Sequence, residues 1–165
     1  MVKWLLAVLM LGVIVWAGWF LYQNSRPEAQ VLKQVQALEG LLNFTGTEGN
    51  IQEVVRMEML SNVPAPECKV DNIHALINST YNPTSFASAV LRCGKMCDFV
   101  KVRFSHIEIS INSSDSATVT LEASVDAKAQ QSSERLMDSA DLTLNYLKIN
   151  GNWKLSQVSA DQMLK

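Results

Sequence analysis

The spacing of hydrophobic positions changes twice along this chain, dividing it into three stretches. The first stretch has no period. From Trp4 to Tyr22 no charged side chain interrupts the run. Such a segment is stable in lipid and costly in water. As a helix it would reach roughly 28 Å, close to the hydrocarbon thickness of a bilayer. Trp4 lies at one end, and Trp16, Trp19 and Tyr22 at the other, where aromatic rings favour the headgroup level. The run predicts a signal anchor over residues 1–25 and one soluble domain over residues 26–165. The alternative is a cleaved signal peptide, with Val15-Trp16-Ala17 spaced for a cut before Gly18. Continuation of the run through Trp19, Phe20 and Leu21 favours the anchor. Lys3 argues for an inside N-terminus. The expectation is a single-pass protein of the inner (cell) membrane with its C-terminal domain periplasmic or extracellular.

The second stretch has helical spacing. Val31, Leu32, Val35, Leu38, Leu41 and Leu42 recur on one face between Glu28 and Phe44, with Pro27 placed to start the helix. Thr45 to Asn50 is turn chemistry. A second helix is predicted over Ile51–Leu60, with Ile51, Val54, Val55 and Met59 on one side, ended by Asn62, Pro64 and Pro66. Cys68 and Val70 suggest a short strand, and Asn78–Pro83 a loop. A third helix is expected over Thr84–Met96. Thr84 or Ser85 would be its N-cap, with Phe86, Val90, Leu91 and Cys93 to Cys97 packed inward.

The third stretch alternates. Asp98–Asn112 has inward even residues up to Phe104 and inward odd residues from Ile107. This switch predicts a bulge near Ser105-His106. Thr118–Ala129 alternates cleanly, with Thr118, Thr120, Glu122, Ser124, Asp126 and Lys128 on the wet face. Asp141–Ile149 is a further strand with a second switch between Tyr146 and Leu147. Asn150-Gly151 predicts a two-residue type I′ turn into a last strand, Trp153–Ser159. The fold class is α+β: an N-terminal transmembrane helix, then a curved antiparallel sheet packed against about three helices in a cone.

Composition narrows the function. The net charge is -2 and there is no basic run, so nucleic acid is not an expected partner. Three cysteines, Cys68, Cys93 and Cys97, are too few and odd in number for a disulfide framework. In an oxidising compartment Cys68 could pair with either of the others. No Cys-x-x-Cys or paired histidines predict a metal, and no motif predicts a cofactor. Candidate cavity-lining residues are His106 at the bulge, Tyr146 on an apolar face and His74. Asp141 reads as solvated and Trp153 as a core anchor. No residue is assigned a catalytic role, because no His–Asp pair has a spacing that predicts a dyad.

The element order, closing on Lys148-Ile-Asn-Gly-Asn-Trp-Lys-Leu155, resembles the nuclear transport factor 2-like superfamily over about residues 28–160. The resemblance implies a cavity between the curved sheet and the helices. Some members are isomerases, dehydratases or cyclases; others bind ligands or partners without chemistry. Membrane-anchored members, such as the inner-membrane bridge proteins of type IV secretion systems, have a similar layout. The first expectation is a membrane-anchored, non-catalytic binding or assembly domain. It would contact a protein partner or another copy through its open sheet face. The alternatives are a ligand-binding pocket protein and a small cavity enzyme of isomerase type using His106.

Overall fold

The computed structural model describes residues 26–46, 49–71, 79–130 and 135–160. The apolar run with Trp4, Trp16, Trp19 and Tyr22 lies outside these residues, as does His74. No helix among the described residues is long and apolar enough to cross a membrane.

Helix α1 (Pro27–Leu42) starts on Pro27 and buries Val31, Val35 and Leu38. It ends two residues before the expected Phe44. The stop is Asn43, whose side-chain amide donates to the Glu39 carbonyl at 2.9 Å and accepts from the Val102 amide at 2.6 Å. The chain then forms a two-residue strand, β1 (Phe44–Thr45), paired with Phe99 and Val100.

Helix α2 (Asn50–Ser61) is where the pattern misled. Ile51, Val54, Val55 and Met59 face solvent, while Leu60 is buried and Met57 packs against the core. The inward stripe is Glu53, Arg56, Met57 and Leu60. Arg56 can face inward because its guanidinium donates to the Leu41 carbonyl at 2.7 Å and lies 4.5 Å over the Phe44 ring. Between α2 and the next helix runs a groove of about 700 Å³, floored by Val54, Met57, Leu91 and Met96.

Pro64 and Pro66 do not merely end α2; they open a strand, β2 (Pro64–Asp71). Ser79–Tyr81, expected as loop, forms β3 against it. Helix α3 (Pro83–Lys95) is capped by Asn82 rather than Thr84 or Ser85. The Asn82 side chain accepts from the Ser85 amide at 2.8 Å, and Ser85 Oγ accepts from the Asn82 amide at 2.9 Å. This cap leaves Pro83 at the first helical position, where its missing N–H is not needed. Phe86, Ala87, Leu91 and Gly94 are buried. A Cβ on Gly94 would fall 2.4 Å from the Phe44 ring, so the close approach of α3 to β1 requires glycine.

Four long strands follow: β4 (Cys97–Ser113), β5 (Ser116–Ala129), β6 (Arg135–Ile149) and β7 (Asn152–Ala160). The sheet order is β1-β4-β5-β6-β7-β2-β3. The β2–β7 pair is parallel, which makes the sheet mixed rather than antiparallel throughout. The bulge falls where the parity switch placed it. Ser105 pairs with Glu122 and Glu108 with Thr120, leaving His106 and Ile107 opposite Leu121, with His106 at φ 51°. Asn150 and Gly151 both have positive φ, as a type I′ turn demands.

Strand β6 begins six residues earlier than predicted and pairs with β5 without interruption from Arg135 to Leu147. Its expected switch at Tyr146–Leu147 is absent. The irregularity sits on β7, where Ser156 is extra between Leu155 and Gln157, and Leu147 stays exposed.

Candidate functional site

The two faces of the sheet differ in kind. The face away from the helices carries a belt of side-chain hydrogen bonds across five strands. Asn112 donates to Thr118 at 2.8 Å, and Thr118 donates to Asn145 at 3.0 Å. Asn145 donates to Gln157 at 3.2 Å, and Gln157 donates to Asp71 at 2.8 Å. Polar groups on this face are thus largely occupied with one another.

The helix-covered face is apolar. Val119, Leu121, Leu144, Tyr146, Leu155 and Cys68 are almost fully buried beneath Val31, Val35 and Leu60. Among the described residues no charged side chain is buried. The uncommitted buried polar side-chain atom there is the Tyr146 hydroxyl, which has no hydrogen-bond partner. Burial, and then the Cys68 thiol, push the Tyr146 phenol upward; burial pushes Cys68 up to about 11. Both groups keep their protons at neutral pH. Neither can act there as a base.

Opposite the closed end, the covered face opens. Cross-strand rows run Val102–Val125–Asp138 and Val100–Ala127–Leu136, in phase with buried Phe104 and Ala123. Beyond the end of α1 lies a groove of about 940 Å³, where Val100, Val102 and Val125 are joined by Lys101, Arg103, Ser124 and Asp126. Glu39, Asn43 and Phe44 form one wall, and Met137, Asp138 and Ser139 the other. Asn43 is committed on both sides of its amide and acts as a pin for this wall. The sequence reading missed Asn43, Met137 and Asp138. A signal existed only for Asn43, an Asn at the end of a helical pattern.

Among the described residues, the predicted site residues Tyr146 and His106 do not come together. Tyr146 lies in the core. His106 does not line the cone: the bulge turns it onto the open face, where its side chain is 82% exposed and Nδ1 lies 3.0 Å from Glu122 Oε2. It borders a shallow depression with Glu108, Thr120 and Asp141. The left-handed backbone at His106 accounts for this, since it turns the side chain toward Glu122, the partner of Ser105. All three cysteines are free: Cys68 is buried, Cys93 exposed and Cys97 half-buried. Cys93 therefore does not pack inward as expected, and Cys97 belongs not to the helix but to the start of β4.

No family model matches this sequence, and no curated protein matches it. Solved structures do match in fold. A Kribbella flavida protein superposes with a TM-score of 0.68 at 11% identity, covering 83% of this chain and 90% of that one. The hexachlorocyclohexane dehydrochlorinase LinA-type3 of Novosphingobium barchaimii gives 0.62 at 12% identity, covering 83% and 86%. A nuclear transport factor 2-like protein of unknown function in nutrient uptake, from Rhodospirillum rubrum, gives 0.57 at 14%, covering 81% and 98%. The domain therefore has the nuclear transport factor 2-like fold. At these identities the likeness concerns the fold alone.

Proposed function

We propose that this chain is a tethered ligand-binding protein, whose open groove takes an elongated amphipathic molecule, with apolar and polar parts. The observation that carries this is the groove itself: Val100, Val102 and Val125 of β4 and β5 lie open beyond α1, with Lys101, Arg103, Ser124, Asp126, Asp138, Ser139 and Glu39 supplying polar groups around them. Fold neighbours that include a hexachlorocyclohexane dehydrochlorinase support a small-molecule role. Acid–base chemistry has less support. Its expected base, His106, sits in water on the other face, and the buried groups near the core are a phenol and a thiol held protonated. An assembly role through the open face is also less supported, since that face is bound up in its own hydrogen-bonded belt. Tethering rests on the uncharged run Trp4–Tyr22.

The test is photolabelling of the full chain in membranes, using palmitic acid with a mid-chain diazirine as probe. Label is expected on the peptides containing Val100–Arg103 and Val125–Ser139, and is expected to drop in Val125→Trp, which fills the groove. Label insensitive to Val125→Trp rejects the site. Sequencing the mature N-terminus in the same sample tests the tether: a start at Gly18 rejects it.

A further inference from the structure

Glu39 and Asn43 at the end of α1, with Phe44 just beyond it, form the inner wall of the groove. The last turn of α1 contains no basic residue. Its final carbonyls, and the negative end of the helix dipole, must therefore be met from outside that turn. Two side chains do this. Asn43 Nδ2 donates to the Glu39 carbonyl at 2.9 Å. Arg56 reaches across from α2, and its Nη1 donates to the Leu41 carbonyl at 2.7 Å. Arg56 is thus a cation at the α1 terminus supplied by the next helix.

The same guanidinium lies 4.5 Å over the Phe44 ring. Phe44 is also confined by α3, since a Cβ on Gly94 would strike that ring. Asn43 joins the wall to the sheet, because its Oδ1 accepts from the Val102 amide at 2.6 Å. One half-buried side chain therefore braces both the helix end and the aromatic residue after it. Asn43 and Phe44 line the groove, whereas Arg56 does not. A site binds more tightly when its walls are in place before the ligand arrives. A wall made from a helix terminus frays unless its last carbonyls are held.

We propose that Arg56 is a positioning residue for the groove: from α2 it holds Asn43 and Phe44 in the binding-competent arrangement without itself meeting the ligand. This rests on the groove being the binding site. It gives α2, which is otherwise remote from that site, a part in setting its affinity. Lysine could supply the charge and a donor to Leu41, but not the planar group that lies over Phe44.

The test titrates the diazirine-bearing palmitic acid onto the full chain in membranes and reads the concentration that half-saturates groove labelling. Arg56→Met keeps the apolar stem but loses donor and charge, and should raise that concentration about tenfold. Arg56→Lys should fall between Arg56→Met and the wild type. Asn43→Ala should act in the same direction, and the double variant should exceed either single one by little, because both side chains hold one wall. Amide exchange is read without ligand. In Arg56→Met the Val102 amide should exchange faster while that of Leu144, in the core, stays slow. Equal quickening at Leu144 would show a general loss of stability and overturn the proposal. So would fully additive effects, or wild-type half-saturation in Arg56→Met while Val125→Trp still blocks labelling; the groove reading would survive each of these. A wild type that takes no label, or takes it regardless of Val125→Trp, rejects the groove and this proposal with it.

Discussion

The same strands build both ends of the sheet, yet one end is closed and the other open. At the closed end Leu144 and Tyr146 of β6 lie with Val119 of β5 under α1, and Trp153 Nε1 donates to Gln30 at 3.3 Å. At the open end Val102, Val125 and Asp138 line the groove beside the last turn of α1. The cause is length. Helix α1 has 16 residues and spans about 24 Å, whereas β5 with 14 residues spans about 46 Å. A helix that starts near the Asn150-Gly151 turn runs out at the level of Val102 and Val125, before the strands end. Asn43 fixes where it stops. The groove is what a long strand leaves beyond a shorter helix, and it needs no special motif.

This contrast can be broken by equivalent truncations. Leu155→Ala at the closed end should cost about 2–5 kcal/mol, because Leu155 is fully buried and its neighbours cannot all collapse into the gap. Val125→Ala at the open end should cost under about 1 kcal/mol, since Val125 is only half-buried and its space is already continuous with solvent. Urea unfolding of both variants decides the matter. Similar losses would mean that the groove is packed in solution.

The closed end should also be the alkali-sensitive one. Cys68 is held at about 11 when folded, above its unfolded value of 9.0. Its contribution is fully present below pH 9.0 and is lost as pH rises through about 11. The limiting loss is about 2–3 kcal/mol. Measured from about pH 8 to 11, the stability of the wild type should fall more steeply than that of Cys68→Ala. Parallel curves would show that the thiol is not desolvated. A smaller effect is expected at its neighbour. Tyr146→Phe removes a buried hydroxyl that has no partner, so thermal stability should rise by about 1 kcal/mol. A loss of that size would reveal a partner for the hydroxyl.

The closed end was readable in the sequence, and the open end was not. The alternation of β5, the parity switch at Ser105-His106 and the Asn150-Gly151 turn are local signals that no tertiary context overrode. The first half of β6, Arg-Leu-Met-Asp-Ser-Ala, has no β-branched residue and is a strand only because β5 pairs with it. Pro64 and Pro66 hid β2, whose ladder with β7 skips from Pro64 to Lys69 and so does not need every N–H. In α2 two stripes competed. The more apolar one was expected inward, but the one containing Arg56 could satisfy its polar groups against Leu41 and Phe44. The open groove depends on the relative lengths of α1 and β5, which no single motif encodes.

The open end has its own pH dependence, of opposite sign. Across β5 and β6, Arg135 Nε and Nη2 donate to Asp126 Oδ1 and Oδ2 at 2.6 and 2.5 Å. The Arg135 hydrogen bond, with the charges of Arg135 and Lys101, holds the Asp126 carboxyl below its usual 3.8. A carboxylate depressed in the folded state stabilises above its unfolded value and loses that contribution as pH falls through the folded one. The pair is at the surface, so the effect is small and weakened by salt. The difference in melting temperature between the wild type and Asp126→Asn should be constant above about pH 5 and shrink as pH falls below 3.8. Amide exchange should quicken first in Arg135–Asp141, the half of β6 that pairs with β5 but has no described partner on β7. A difference that persists unchanged to about pH 3 would mean the ion pair does not hold the groove's outer wall.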